Sequence, residues 1–140
     1  MATINTYLNF NGNTEEAFNF YKSVFGGEFL TVQRFKDSPG CEGMKKEDQD
    51  KLMHIALPVG GNVLMGTDVT EPMPKATFGN GISISVDASS EAEAHQIFDG
   101  LSAGGKATMP LDKMFWGALF GMLTDKFGIQ WMVNYDYNQK

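Results

Sequence analysis

Apolar and polar residues alternate over residues 4–10, with Ile4, Thr6, Leu8 and Phe10 on one face, so this segment reads as a strand. Asn11-Gly12 turns the chain. Asn13-Thr14-Glu15-Glu16 is a variant capping box, in which the Asn13 side chain accepts from the first turn and Glu16 reaches back. The helix it starts runs to about Phe25, with Ala17, Phe20, Tyr21 and Val24 as its apolar stripe. Gly26-Gly27 closes it, because glycine adopts the left-handed conformation of a helix terminus. A strand over 28–35 follows. After it comes a polar stretch rich in Gly, Pro and Lys, which reads as a mobile loop up to Asp50. Residues 51–59 and 63–67 read as strands joined at Gly60-Gly61-Asn62, and residues 68–79 as a proline-bearing connector.

The pattern then restarts. Residues 82–86 alternate as Ile-Ser-Ile-Ser-Val, Ser90-Glu91-Ala92-Glu93 is a full capping box, and the helix it opens ends at Gly104-Gly105. Strands are predicted over 106–109, 115–123 and 129–135, the last two joined by the turn Asp125-Lys126-Phe127-Gly128. Phe20 precedes Gly26, and Phe98 precedes Gly104, by the same six residues; the halves are offset by 78 (98 − 20 and 104 − 26). Such self-similarity decides the fold class. The chain is predicted to be α+β: two βαβββ modules, about 1–70 and 78–140, with mixed curved sheets in a single domain. One module leaves a sheet face uncovered, so two must pair.

Composition narrows the function classes. A chain of 140 residues buries roughly 68% of its unfolded surface and needs no disulfide or metal staple. Its net charge of −6 argues against nucleic-acid and anionic-membrane partners. No segment approaches the roughly 20 apolar residues of a membrane span, and the N-terminus lacks a signal peptide's basic start and apolar run. The single cysteine, Cys41, forms no intrachain disulfide and reads as a surface thiol; together these point to the cytoplasm.

Three segments carry a family resemblance: YLNFNGN near the start, HIALPVGGNVLMGTD in the middle and FWGALFGMLTDKFGIQWMVN near the end. In the last, Trp116, Gly117, Gly121, Asp125, Gly128 and Trp131 have the family's spacing. The chain resembles the PhnB-like branch of the glyoxalase/bleomycin-resistance/dioxygenase (vicinal oxygen chelate, VOC) superfamily. The resemblance implies paired βαβββ modules around a half-open cavity, usually in a homodimer; a cavity lined by apolar groups and a few polar ones suits a small-molecule ligand. Such proteins also carry a demethylubiquinone methyltransferase label. Here the nearest glycine cluster, Gly79-Asn80-Gly81, opens a strand, whereas a nucleotide-binding turn follows a strand and opens a helix.

Metal-dependent members of the superfamily place His or Glu at four cavity positions, two per module. Strand alternation puts Asn5, Met65, Gly81 and Met132 there, with Thr6 and Tyr7 as register alternatives to Asn5. None suits a divalent ion that prefers imidazole or carboxylate, so no metal ligand and no cofactor are predicted. Alternation turns His54, with Leu52 and Ala56, toward the presumed cavity. The resemblance also implies a histidine here. An imidazole there can act as acid or base near neutral pH; the competing reading is a histidine hydrogen-bonded into the sheet. Trp116 offers a stacking surface or core packing, and Asn9, Gln130 and Asn134 offer amides to a ligand or to solvent. His95 reads as solvent-facing, Asp68 as a cap for the loop that follows it, Trp131 as core, and Glu42, Glu47, Asp48 and Asp50 as a solvated charged loop. The expected function is a homodimeric small-molecule binding protein, or an enzyme lacking the superfamily metal site, with catalytic His54 and ligand contacts from Asn9, Met65, Trp116, Gln130 and Met132. The rivals are a divalent-metal lyase, isomerase or dioxygenase of the glyoxalase type, and a drug-sequestering resistance protein.

Overall fold

The computed structural model describes residues 1–138. The chain divides into two compact units, Met1–Thr77 and Phe78–Lys140. The first holds β1 (Thr6–Phe10), α1 (Thr14–Phe25), β2 (Thr31–Arg34), a short helix α2 (Lys46–Gln49), β3 (Leu52–Val59) and β4 (Asn62–Asp68). The second holds β5 (Ile84–Asp87), α3 (Glu91–Ser102), β6 (Lys106–Lys113), β7 (Ala118–Thr124) and β8 (Gln130–Asp136). The sheets run β1-β4-β3-β2 and β5-β8-β7-β6. In each, the strand before the helix lies parallel to the last strand and the other pairings are antiparallel. The α+β reading and the βαβββ repeat are therefore present in the structure.

The helices show the repeat most clearly. Thr14, Ala17, Phe18 and Tyr21 of α1 are buried, as are Ala94, Ile97, Phe98 and Leu101 of α3. Each pair of equivalents is 80 apart (94 − 14, 101 − 21), not 78. Phe18 rather than Phe20 is thus the counterpart of Phe98. Phe20 and Val24, expected in the stripe, are only half-buried. Each helix lies close on its sheet where a strand carries glycine. A Cβ on Gly66 of β4 would stand 2.6 Å from the Phe18 ring, and one on Gly121 of β7 would stand 2.8 Å from the Phe98 ring. Larger residues at these points would push the helix off the sheet.

The first helix is not capped as its sequence suggests. Asn13 makes no side-chain cap bond. The buried carboxylate of Asp68, at the end of β4, takes that role: its Oδ1 accepts from the Thr14 amide at 3.0 Å and the Thr14 hydroxyl at 2.6 Å. Its Oδ2 accepts from the Leu52 amide at 2.9 Å. Asp68 thus holds a helix start and a strand start, not the loop that follows it. At α3 the capping box forms with a shift of one residue. Ser90 Oγ accepts from the Glu93 amide at 3.0 Å, but Glu93 reaches back to the Ser89 amide at 2.8 Å. In the β7–β8 turn the buried Asp125 accepts from the amides of Phe127 and Ile129 and from the Trp131 indole.

Other boundaries moved because a strand extends only as far as its partner. Pairing begins at Thr6↔Leu64 in the first sheet and Ile84↔Trp131 in the second. Ile4 and Ile82 precede these points and stand 89% and 85% exposed, so Ile82 faces no helix. The polar stretch after β2 is not a featureless loop. It contains a 3₁₀ turn at Phe35–Asp37 and α2, and is tied by Lys36–Asp50, Lys45–Glu71 and Lys51–Asp48 ion pairs. Asp48 is buried against Lys51, not solvated.

Replacing Asp68 by Ala strips three buried donors of their acceptor. It should lower the unfolding free energy by about 2–4 kcal/mol, read as a drop in the urea midpoint at constant slope. Asn13→Ala should change it by less than about 0.5 kcal/mol. Equal losses in the two variants would return the capping role to Asn13.

Candidate functional site

In the first unit the site is built from strand register. Tyr7 pairs with Met65, Met65 with Ala56, and Asn9 with Thr67. Cross-strand partners point the same way and alternate residues share a face. Tyr7, Asn9, His54, Ala56, Met65 and Thr67 therefore lie on the face of the sheet opposite the Gly66–Phe18 contact, away from α1. His54 turns away from the helix, as alternation predicts. Leu52 and Ala56 are buried. What remains accessible is half-buried His54, Met65 and Thr67 together with exposed Tyr7 and Asn9.

His54 is bonded. The Tyr7 hydroxyl lies 3.1 Å from its Nδ1, and the two rings are 5.7 Å apart between centroids. The Thr67 hydroxyl donates to the Met53 carbonyl at 2.8 Å. Partial burial raises the Tyr7 pKa, while the Thr67 hydroxyl, which can turn its proton toward a phenolate, opposes the shift. Tyr7 and Thr67 are the site residues that sequence reasoning did not place. Tyr7 entered only as an alternative register position; its partnership with His54 exists because β4 lies between β1 and β3.

The second unit carries the remaining candidates. Met132 pairs with Met122, Met122 with Met109, and Ser85 with Met132, so three thioethers and a hydroxyl form a row across the sheet away from α3. Trp116 does not start a strand; it lies in the β6–β7 turn, 53% exposed, edge-on to Phe115 and Phe120. Gln130 donates its amide to the Ile82 carbonyl at 2.7 Å, and Asn134 donates to Asp87 at 3.2 Å. His95 is exposed on α3, and Cys41 is half-buried rather than a fully exposed surface thiol. Asn9, His54 and Met65 thus share the first sheet, whereas Trp116, Gln130 and Met132 belong to the second unit.

The register also corrects the four superfamily metal positions. Asn5 lies ahead of β1, and its side chain accepts from the Val63 amide at 3.1 Å. Gly81 lies ahead of β5. The residues beside Met65 and Met132 are Tyr7 and Ser85. A phenol, an aliphatic hydroxyl and two thioethers are a poor donor set for a divalent ion that prefers imidazole or carboxylate. Among the described residues, no group of three or more His, Cys, Asp or Glu side chains could hold a metal ion.

A family model described as 3-demethylubiquinone-9 3-methyltransferase matches residues 2–134. The chain belongs to this PhnB-like family. It is 30% identical to protein YjdN of Escherichia coli K12 over 139 residues, 94% of this chain and 93% of that one. The crystal structure of PA1353 from Pseudomonas aeruginosa shares 42% identity and a TM-score of 0.85, covering 97% of this chain and 98% of that one. A Bacillus cereus protein titled putative 3-demethylubiquinone-9 3-methyltransferase, PhnB protein, shares 30% identity and a TM-score of 0.75, covering 96% and 99%. A glyoxalase-related enzyme from Fulvimarina pelagi, 18% identical with a TM-score of 0.67 over 97% of this chain and 89% of that one, has the same fold. The two mixed sheets thus have the fold of that glyoxalase-related enzyme. In this PhnB-like chain Gly79-Asn80-Gly81 leads into β5, not into a helix. Among the described residues no helix is long and apolar enough to cross a membrane.

With its folded pKa above the unfolded 10.0, Tyr7 resists ionisation in the fold. Its contribution to stability is intact below pH 10.0 and is lost as pH rises through the folded value. An ultraviolet difference titration of wild type against Tyr7→Phe should show the missing tyrosine ionising above pH 10.0. A missing transition at or below pH 10.0 would mean that the phenol is not partly withdrawn from water.

Proposed function

We propose that the chain is a homodimeric small-molecule binding protein that works without the superfamily metal. An organic ligand would lie on the far face of the first sheet against His54, with Tyr7, Asn9 and Met65 as contacts. The observation that carries this reading is the Tyr7–His54 hydrogen bond on the sheet face opposite α1. It supplies a positioned acid–base group beside an adaptable thioether, the mixture of polar and apolar lining that ligand sites use. Chemically the arrangement sets an imidazole against a ligand's acidic hydrogen or basic atom. On the second unit by itself, Trp116 and Met132 offer an apolar surface, and Gln130 is held by its amide on the Ile82 carbonyl. The net charge of −6 suits neutral or cationic ligands. The lone cysteine suits a reducing cytoplasm. The dimer is supported by the strands paired on one side only, β1 and β2 in the first sheet and β5 and β6 in the second.

His54→Ala should change stability by less than about 1 kcal/mol, since the ring is half-buried. Thermal-shift screening against carbonyl compounds, phenols and cationic drugs should find compounds that stabilise wild type and fail to stabilise His54→Ala. Equal shifts in both proteins, or an unfolded variant, would make His54 a structural residue. Light scattering on a sizing column should give about twice 15.4 kDa at micromolar concentration; a clean monomer would refute the dimer.

A further inference from the structure

The far face of the second sheet carries a row of side chains that the first sheet does not repeat. Across the strands, Ser85 pairs with Met132, Met132 with Met122 and Met122 with Met109. Three thioethers thus stand side by side on β8, β7 and β6, pointing away from α3. The equivalent row of the first sheet reads Tyr7, Met65, Ala56 and Thr31. The fold therefore does not require methionine on β6 and β7. Strand formation does not call for it either, since β-branched and aromatic residues are the ones enriched there. Met109 is 40% exposed, and Met122 and Met132 are half-buried, so the row reaches solvent instead of filling a core.

From this row we infer that Met109, Met122 and Met132 form a binding site for copper(I). A thioether is a soft, neutral donor, and it suits this soft monovalent ion. Adjacent strands lie about 4.8 Å apart. Each methionine turns about roughly three bonds, so the outer sulfurs, from Met109 and Met132, can close over Met122. The ion then meets three sulfurs without any donor losing a proton. Charge favours capture as well. Asp112 pairs with Phe120, which shares the face of Met122, and Asp87 lies on the same face of β5 as Ser85. Both carboxylates are exposed on the thioether side of a chain with net charge −6. The site lies wholly in the second unit and is independent of His54. Among the described residues, no group of three or more His, Cys, Asp or Glu side chains offers a rival metal site. The one cysteine, Cys41, belongs to the first unit.

The test is an anaerobic titration of the full chain against the copper(I)–bicinchoninate complex, whose colour falls as copper leaves it. The protein should withdraw one copper(I) per chain. Met122→Leu and Met132→Leu nearly conserve volume, and each should weaken binding by roughly tenfold or more. Met73→Leu, which removes a lone exposed thioether, and Cys41→Ser should leave the affinity unchanged. Thioethers do not titrate, so the affinity should hold from about pH 8 to about pH 5, where imidazole or thiolate donors are lost to protonation. In a second measurement silver(I), a soft ion without redox chemistry here, is added to wild-type protein labelled with ¹³C in its methionine methyl groups. The resonances of Met109, Met122 and Met132 should move together, and those of the other methionines should stay in place; this readout requires no variant to fold. No withdrawal of copper, equal affinity in both leucine variants, or loss of binding in Cys41→Ser would overturn the site. So would silver shifts that leave those three methyl groups unmoved. Each of these failures would leave the His54 reading standing.

Discussion

Three parts of the first unit meet on one buried carboxylate. Asp68 ends β4, and its two oxygens take donors from the first residue of α1 and the first residue of β3. A charge withdrawn from water is tolerated only when its lone pairs are filled by donors, and charge-assisted bonds of this kind are the strong ones. The helix start therefore cannot slide along the sheet without uncovering Asp68. That fixes which residues of β4 lie under α1 and, because strand residues alternate, which lie on the far side. Asp125 plays an analogous part in the second unit, where it closes the β7–β8 turn and holds the Trp131 indole beneath α3.

Once the helix is fixed, the chemistry has one face left to use. Gly66 and Gly121 lie under the rings of Phe18 and Phe98, so the helix side of each sheet is packed to contact. Polar side chains that would be costly there collect opposite, where Tyr7, Asn9, His54 and Thr67 stand in the first sheet and Ser85, Gln130 and Asn134 in the second. The Tyr7–His54 hydrogen bond is a consequence of this sorting and of the strand order β1-β4-β3, which sets the two residues on either side of β4.

The same register sets a phenol beside a thioether in the first sheet and a hydroxyl beside a thioether in the second. The pairs are Tyr7 with Met65 and Ser85 with Met132. Thioethers and hydroxyls are well suited to contact with an organic ligand and poorly suited to a divalent ion. A shared architecture with different side chains is the ordinary way in which one fold serves different functions.

Local pattern carried much of the fold. Two-residue alternation identified the strands, the glycine pairs closed both helices, and the restart after residue 80 revealed the repeat. Alternation also turned His54 away from the helices, because side-chain direction in a strand is a local property. Tertiary structure decided what depends on partners distant in sequence. Asn13 satisfies the local rule for a cap, yet Asp68, 54 residues from Thr14, provides it. Phe20 fits the helical period as well as Phe18, and only the close approach at Gly66 selects between them. Tyr7 joins His54 from 47 residues away, across a strand whose placement no short stretch of sequence encodes. Local steric preferences act within a few residues and are legible there, whereas a hydrogen bond between strands exists only after the whole sheet has set its register.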